Sequence, residues 1–310
     1  MMVAIAAIIC THNREDYLGK AIDSLLTQDH DDYEVIVVDN ASTDRTREIV
    51  EARLPHPWLR YCYEAEVGLS AARNRGMRET EAAIIAYLDD DAIASPGWLT
   101  ALEAGFEADE ELAIAGGNVT LIWPDGCTCA PPWLSDGLAA NLGAYDLGPQ
   151  PRAITQHNLT PRGLNYAIRR PFWEQVGGFD RNLGRVGKNL LSNEELRMTE
   201  LALKRGWHVT YLPAATVAHH VTPERLERRW FLKRGWWQGV SESYREQLTG
   251  AGGWGQFPRG GERIVRGLYK SLKYIADPAL RFDNLVYAYG QIGYLITSLR
   301  GILFPPSFKS

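Results

Sequence analysis

Residues 82–91 form an apolar run that ends in three consecutive carboxylates, Asp89, Asp90 and Asp91. A short apolar run of this kind predicts a buried β-strand, so the three acids would lie together at the edge of a sheet. Carboxylates held this close repel one another, and a bound divalent cation would offset the repulsion. The segment therefore predicts a buried sheet with a metal-binding site where this strand ends.

Two more β-branched runs, residues 3–10 and 34–38, also end in polar clusters, at residues 11–14 and 39–44. Short apolar runs that alternate with helical patterns are typical of an α/β fold, here a mostly parallel, mixed sheet flanked by helices. Such sheets bind ligands beyond the carboxyl ends of their strands. We therefore expect the three polar clusters to meet in one crevice.

The composition argues against several classes of protein. With 45% hydrophobic and 23% charged residues, the chain can bury a sizeable core without disulfides. A net charge of −5 argues against a nucleic-acid binder, which would need a basic face. The four cysteines form no zinc-binding pattern, and the first apolar run is too short for a signal peptide or a membrane span. We therefore expect a cytoplasmic protein with free thiols.

A helix is predicted to begin at Gly68, and near its start it carries Arg73, Asn74, Arg75 and Arg78. Basic residues in the first turns oppose the helix dipole, which indicates that they serve an anionic ligand. A solvated basic face is the alternative. Residues 123–162 lose all regular pattern, and a loop of this length is usually a binding element or a lid.

From residue 192 onward the sequence predicts a helix at 194–204 and a strand at 207–212. Three more helices follow: one begins at residue 222, and the other two lie at 262–276 and 278–303. The pair His219 and His220 follows the predicted strand. A glycine-rich break at 250–261 separates the last helices.

Seven motifs, taken together and in this order, resemble those of an inverting family 2 glycosyltransferase with the GT-A nucleotide-sugar fold, of the bacterial surface-polysaccharide type. They are CTHNR at 10–14, VVDNASTD at 37–44, GLSAARN at 68–74, LDDD at 88–91, GGFD at 177–180, NEE at 193–195 and VAH at 217–219. The resemblance implies a GT-A catalytic domain at 1–222, with a nucleotide-sugar half of about 1–122 and an acceptor half of about 123–222. A C-terminal helical extension would follow at 223–310.

The resemblance implies a set of residues that bind the nucleotide sugar: Thr11, Asn13, Arg14, Asp39, Asn40, Ser42, Arg73, Asp89 and Asp90. It also implies that Mn²⁺ or Mg²⁺ binds to Asp89, Asp91 and His219. For His219 a structural, hydrogen-bonded role is the open alternative. The chemistry agrees, because the departing nucleoside diphosphate is dianionic and a hard cation held by oxygen ligands neutralises that charge.

Glu195 is predicted to be the base that activates the acceptor hydroxyl. In the family this helix usually begins Glu-Asp and the Asp is the base, whereas this chain has Glu194 and Glu195. The spacing to Gly206 keeps the family's register, so the second acid takes the role with one extra methylene group. Two acids also favour a helix N-terminus, and that structural role is the alternative. Acceptor contacts are expected from Glu194, Asn165, Asp180, Trp123 and Trp133.

We therefore predict metal-dependent, inverting transfer of a sugar from a nucleoside diphosphate sugar to a hydroxyl of a glycan or polyprenyl-linked acceptor. UDP- and dTDP-sugars are the family's commonest donors. A dehydrogenase or a nucleotidyltransferase would need a glycine-rich loop after the first strand, and residues 11–16 contain no glycine. A non-catalytic, glycosyltransferase-like scaffold is the other alternative, and it would be expected to lose the carboxylates of the metal site or the base.

The C-terminal extension has two open interpretations. Six basic residues between 259 and 281 outnumber two acids, and residues 284–304 are apolar and tyrosine-rich. This pattern predicts a peripheral element that lies on the inner face of the cell membrane without crossing it. The helices would otherwise pack on the catalytic domain or on a second subunit, as in a homo-oligomer.

Overall fold

The computed structural model describes residues 3–127, 129–187 and 189–304, which form two compact units. The first unit comprises the chain up to Ile122, Gly143–Asp180 and Glu194–His220. The second comprises Trp123–Leu142, Arg181–Asn193 and the chain from Val221 onward. Each unit is therefore assembled from segments that are far apart in sequence. The assignment of catalytic halves at residues 122 and 222 stays a prediction.

The first unit contains a mixed sheet with the strand order β3-β2-β1-β4-β8-β6-β9-β5, and β7 pairs with β9. The strands are β1 (Ile5–Thr11), β2 (Tyr33–Asp39), β3 (Leu59–Tyr63), β4 (Ile84–Asp89), β5 (Ala92–Ala94), β6 (Leu112–Ile122), β7 (Arg152–Ala153), β8 (Asn165–Arg169) and β9 (His208–His220). Strands β1 to β4 pair in parallel, as do β6 and β9. Strand β8 pairs antiparallel with β4 and β6, and β5 and β7 pair antiparallel with β9.

Parallel pairing brings the polar clusters to one edge of the sheet. In the register of β1 and β2, Thr11 lies beside Asp39, and in that of β1 and β4, Cys10 lies beside Asp89. The strand residues Ile5–Ile9, Val35–Val38 and Ile84–Leu88 of the three apolar runs are buried, because the sheet is covered by helices and cannot present a solvated face. The prediction that the first, second and fourth strands end side by side is confirmed.

The helices connect the strands of the first unit and build the second unit. They are α1 (Glu15–Leu26), α2 (Thr46–Glu51), α3 (Leu69–Arg78), α4 (Trp98–Ala108), α5 (Asp136–Ala139), α6 (Arg170–Val176), α7 (Glu194–Lys204), α8 (Arg228–Leu248), α9 (Gln256–Lys273) and α10 (Pro278–Leu303). Helix α5 and helices α8 to α10 belong to the second unit. Helix α6 ends at Gly177, whose φ of 80° lies in the left-handed region that favours glycine.

One strand boundary in the first unit differs from the predicted one. Before helix α2, the Asp44 carboxylate accepts hydrogen bonds from the backbone N–H groups of Thr46 and Glu15, so Asp44 precedes the helix. Strand β9 continues to His220 and does not stop at residue 212, because it keeps pairing with β6 and then with β5. His219 and His220 therefore lie within a strand and not after it.

Glycines inside helices allow the second unit to pack closely. A Cβ atom on Gly239 of α8 would overlap the carbonyl oxygen of Gly290 in α10, and one on Gly267 of α9 would lie 2.9 Å from Ala288 Cβ. The predicted glycine-rich break is shorter than expected, because α9 begins at Gln256 and uses its glycines as packing surface. The long helix predicted from residue 222 begins only at Arg228, after a turn of 3₁₀ helix at Pro223–Leu226. Within the described ranges, no helix has the length and apolar character needed to cross a membrane.

Candidate active site

Four charged side chains lie where β1 and β4 end and near the end of β9. Arg14 Nη2 donates to Asp91 Oδ2 at 2.6 Å, and Arg14 Nε lies 3.6 Å from Asp90 Oδ1. His219 Nε2 lies 3.1 Å from the other oxygen of the same carboxylate, Asp91 Oδ1. Asp91 and His219 are buried, whereas Arg14 is partly exposed. Asp91 therefore links the loop after β1 to strand β9.

The electrostatics of this cluster favour a cation. Burial, and then repulsion from the Asp91 carboxylate, raise the pKa of Asp90 from its usual 3.8 to about 7, although Arg14 opposes the shift. Burial lowers the pKa of Arg14, but the acids of the cluster outweigh burial and leave it raised. Carboxylates that are costly to ionise in isolation become stable beside a divalent cation.

The three predicted metal ligands are only partly brought together. Asp91 and His219 are in contact, whereas Asp89 Oδ1 lies 4.0 Å from Arg73 Nη2. Among the described residues, no three His, Cys, Asp or Glu side chains form a preassembled metal-binding group. Mg²⁺ is usually held by one or two carboxylates together with substrate phosphates, so this donor set fits a cation that binds with a diphosphate.

Asp39 stands at the end of β2 in a hydrogen-bonded setting. Its Oδ1 accepts from the backbone N–H of Ser42 at 2.9 Å, and its Oδ2 accepts from the Tyr61 hydroxyl at 2.8 Å. Tyr61 comes from β3, so two neighbouring strands orient the carboxylate. A carboxylate oriented in this way suits the predicted contact with a base or ribose, because its remaining lone pairs accept hydrogen bonds from such groups.

The predicted nucleotide-binding loops are bound to each other by side-chain amides. Asn13 adopts a left-handed φ of 54°, its N–H donates to Ser42 Oγ at 3.0 Å, and its Oδ1 accepts from Thr43 N at 2.7 Å. Asn40 Oδ1 accepts from Gly68 N at 2.8 Å, at the start of α3. Thr11 is buried at the end of β1. Asn13 and Asn40 thus shape the loops, and their direct contacts with a nucleotide stay predictions.

Arg73 of α3 is the centre of a second charged group. Its Nη1 donates to Glu195 Oε1 at 2.8 Å and to Glu194 Oε1 at 3.3 Å, and its Nη2 donates to Gly163 O at 3.3 Å. Burial lowers the pKa of this guanidinium, but Glu195, Glu194 and Asp89 outweigh burial and raise it. Arg73 is therefore a permanent cation that joins the carboxylates of α7 to the end of β4.

Aromatic rings hold Arg73 in place. Its guanidinium carbon lies 5.7 Å from the ring centre of Tyr87 and 5.3 Å from that of Phe179, and the Tyr87 hydroxyl donates to the Arg73 carbonyl oxygen. Phe179 belongs to the GGFD motif, so this motif packs against the cation. Two ring contacts of this kind restrain the guanidinium and help to keep its ion pairs in one geometry.

Glu194 and Glu195, the first residues of α7, differ in accessibility. The Glu194 side chain is 3% exposed, and the Glu195 side chain is 16% exposed. A general base must reach the proton that it removes, so the more accessible carboxylate is the better candidate. The accessibilities therefore agree with the register argument for Glu195.

Gly163 packs directly on the Glu195–Arg73 ion pair. A Cβ atom at this position would overlap Glu195 Oε1 and Arg73 Nη2. The loop before β8 can therefore cover the ion pair only because residue 163 has no side chain. The sequence did not identify this glycine, because its role depends on a close approach to Glu195 and Arg73 and not on a turn that a local pattern could predict.

Comparison with known proteins supports the fold and relates the chain to glycosyltransferases. The family model described as "Glycosyl transferase family 2" matches residues 6–123, the segment that contains Arg14, Asp39, Arg73 and the three aspartates. This segment is therefore similar to glycosyltransferase family 2. Glu195 and His219 lie beyond the matched segment, in the same structural unit.

Similar proteins cover most of this chain. It is 27% identical over 251 residues to the glucosyl-dolichyl phosphate glucuronosyltransferase of Haloferax volcanii, covering 79% of this chain and 78% of that protein. A mannosyltransferase from Pyrobaculum calidifontis in complex with GDP-Man and Mn²⁺ has a TM-score of 0.62 at 18% identity, covering 98% and 88%. TarS 1-349 of S. aureus in complex with UDP has a TM-score of 0.52 at 16% identity, covering 98% and 92%. The two structures share the GT-A fold with this chain.

The residues predicted to contact the acceptor have different settings. Asn165 is fully buried: its Oδ1 accepts from Trp98 Nε1 at 2.9 Å, and its Nδ2 donates to the backbone carbonyls of Asn118 and Ala215. An acceptor contact would require these hydrogen bonds to break, so Asn165 ties strands together. Asp180, the last residue of the GGFD motif, is half-buried.

Trp123 and Trp133 belong to the second unit, and both are half-buried. The Trp133 ring packs edge-on against Phe231 and Phe282, with 5.4 Å between ring centres in each pair. Trp133 therefore packs on α8 and α10 with one part of its surface. The acceptor contacts of both tryptophans stay predictions.

Proposed function

We propose that this enzyme transfers a sugar from a nucleoside diphosphate sugar to an acceptor hydroxyl, with a divalent metal and with inversion at the anomeric carbon. The observation that supports this most is the position of Arg73, which contacts Glu195 at 2.8 Å and Asp89 at 4.0 Å. The proposed base for the acceptor and a carboxylate for the leaving-group side therefore both contact one guanidinium, and a displacement reaction across one carbon needs these two groups in the same site.

The donor would bind at the ends of β1, β2 and β4. Asp39 would accept hydrogen bonds from the base or ribose, and Thr11, Arg14, Arg73, Asp89 and Asp90 would line the remaining nucleotide-sugar site. Relatives of the same fold bind GDP-Man or UDP, as their structures are described. A UDP- or dTDP-sugar remains our preferred donor from the sequence motifs.

Asp91, Asp89 and His219 would hold Mn²⁺ or Mg²⁺. When bound there, the cation supplies positive charge that neutralises the departing diphosphate. His219 and Arg14, which flank Asp91, would orient its carboxylate, since residues that contact a ligand side chain fix its direction. The buried carboxylates would then have a counter-charge in addition to that of Arg14.

Glu195 would act as the general base. It would take the proton of the acceptor hydroxyl while that oxygen bonds to the anomeric carbon, and the bond from that carbon to the diphosphate oxygen breaks on the opposite face. The electron pair leaves with the nucleoside diphosphate, and the product has the inverted configuration. Arg73 would hold the Glu195 carboxylate in the ionised form, because a nearby positive charge favours it.

The acceptor in this proposal is a glycan or a polyprenyl-linked sugar, and the enzyme works at the inner face of the cell membrane. The name of the Haloferax volcanii relative describes an acceptor attached to dolichyl phosphate, which supports a lipid-linked acceptor here. Acceptor contacts would come from Asp180, Glu194, Trp123 and Trp133.

A screen of nucleotide sugars for release of nucleoside diphosphate tests the proposal. One donor is expected to be hydrolysed slowly without acceptor, only when Mn²⁺ or Mg²⁺ is present, and faster when lipid-linked glycans are added. The anomeric configuration of the product, read by NMR, then checks inversion. A retained configuration would contradict the mechanism, and no turnover of any donor would contradict the activity.

Gly163→Ala is expected to lower the rate of transfer about tenfold, because the new methyl group displaces the Glu195 carboxylate from Arg73. Gly261→Ala is the matched control, since a Cβ there meets nothing within 4 Å. Steady-state kinetics and nucleotide titration should show a lower kcat in the first variant with an unchanged affinity for nucleoside diphosphate. Equal rates in the two variants would show that the close approach has no role in catalysis.

A further inference from the structure

Helix α9 presents three different faces along its length. The first face is built from small residues that pack against α10: Gly260, Gly267 and Ser271 are buried, and a Cβ on Gly260 would overlap Leu295 Cδ2. Their spacing of seven and four residues places them on one side of the helix. The other two faces lie on other sides of the helix, and on one of them Arg263 and Arg266 stack on Tyr294 and Tyr287 of α10.

The second face is apolar and exposed. Val265 (68% exposed), Leu268 (47%), Tyr269 (65%) and Leu272 (71%) follow one another at spacings of three, one and three residues, and Ile275 (61%) extends the row just beyond the helix. These spacings form one stripe. Large apolar side chains that are 47% to 71% exposed in a continuous stripe indicate a surface that binds a partner or a membrane.

The third face is basic. Arg259, Arg263, Arg266, Lys270 and Lys273 recur at spacings of four and three residues, so they form a row beside the apolar stripe. Helix α9 carries one acid, Glu262, and therefore has a net charge of +4 in a chain whose net charge is −5. Arg263 contacts Glu242 at 2.8 Å, and Arg259 contacts Glu246 at 3.3 Å. Lys270 and Lys273 are exposed near the end of the helix.

We infer that the apolar stripe of α9 docks onto an anionic lipid bilayer, with the basic row at the level of the lipid headgroups. This inference rests on the proposed lipid-linked acceptor. An apolar stripe bordered by lysine and arginine is the pattern of a helix that lies in a membrane interface. A second copy of the chain fits the surface less well, because lysine is depleted at protein interfaces and two identical basic rows would repel each other.

Helix α10 combines buried and exposed residues. Gly290, Gly293, Tyr294 and Ser298 are buried against neighbouring helices, whereas Ile292 and Leu299 are 40% and 39% exposed. The membrane element that the sequence predicts spans residues 259–304. Within it, α9 combines a basic row with the more exposed apolar stripe.

Flotation of the full chain with lipid vesicles tests the inference. The protein is expected to float with vesicles rich in phosphatidylglycerol at low salt, and much less at high salt or with phosphatidylcholine alone. Leu272→Asp and the double variant Lys270→Glu with Lys273→Glu should each lower binding about tenfold or more. Leu54→Asp and the double variant Arg45→Glu with Arg47→Glu make the same changes on exposed residues elsewhere and should bind like the wild type.

No flotation at low salt, or equal flotation of the α9 variants and the wild type, would overturn the inference. A dimer in solution that dissociates on Leu272→Asp would overturn it as well, because a second copy would then cover the stripe. Release of nucleoside diphosphate in lipid-free solution is measured on the same samples. Turnover without flotation refutes only the membrane surface, and flotation without turnover refutes only the proposed enzyme activity.

Discussion

Glu195→Gln is expected to lower the rate of sugar transfer by about 10²- to 10⁴-fold, because the amide keeps the shape of the side chain and cannot accept the proton. The affinity for nucleoside diphosphate should be nearly unchanged, since Glu195 contacts the predicted nucleotide pocket only through Arg73, whose charge the variant keeps. Single-turnover rates measure the first effect, and calorimetric titration with nucleoside diphosphate and Mn²⁺ measures the second.

Glu194→Gln is the matched comparison. This side chain also contacts Arg73, but it is 3% exposed and an acceptor hydroxyl cannot reach it as easily. We expect a smaller loss of rate and a measurable loss of thermal stability, because a carboxylate buried beside a cation is removed. If the Glu194 variant lost more activity than the Glu195 variant, the base would be Glu194 and the register would be wrong by one residue.

Removal of the metal is the second change with a large expected effect. Excess EDTA should abolish donor turnover, and Mn²⁺ or Mg²⁺ should restore it. Asp91→Asn should lower turnover about 10²-fold or more, because stabilisation of the leaving group by a metal contributes several kcal/mol. The amide is chosen because Asp91 is buried between Arg14 and His219, and alanine would leave both without this partner.

Circular dichroism and thermal unfolding of the Asp91→Asn variant give the control for folding. A folded variant that no longer responds to Mn²⁺ would support the metal site. Full activity of the wild type in EDTA would contradict it, and the neutralising charge would then have to come from Arg14 and Arg73 alone.

Much of the first unit could be predicted from the sequence, because apolar periodicity reports burial directly. The runs that became β1, β2 and β4 are bounded by polar residues, and parallel pairing then forces their ends together. The extension of β9 could not be read in the same way, since residues 213–216 have no alternating pattern. Pairing with β6 and β5, which are distant in sequence, makes this segment a strand.

The sequence predicted which charged residues form the site, but it did not predict which of them contact one another. Motif order identified Arg73 and Glu195, yet only the fold shows that they form an ion pair with Gly163 packed on it. Asn165 matched an acceptor position by its place in the chain, but the Trp98 indole uses its amide oxygen. Hydrogen bonds between distant elements leave no local trace in a sequence, so such roles are assigned only once the elements are placed.

The shared guanidinium of Arg73 has a consequence for the order of binding. Asp89 competes with Glu195 and Glu194 for one positive charge, so a donor that neutralises Asp89 with its metal would leave more of that charge to the two glutamates. The base would be held most firmly once the donor is in place, and thermodynamic linkage makes the effect reciprocal. Such an enzyme would bind its acceptor more tightly after the donor and the metal have bound. A water molecule that entered the site before the donor would meet a base that is less firmly oriented.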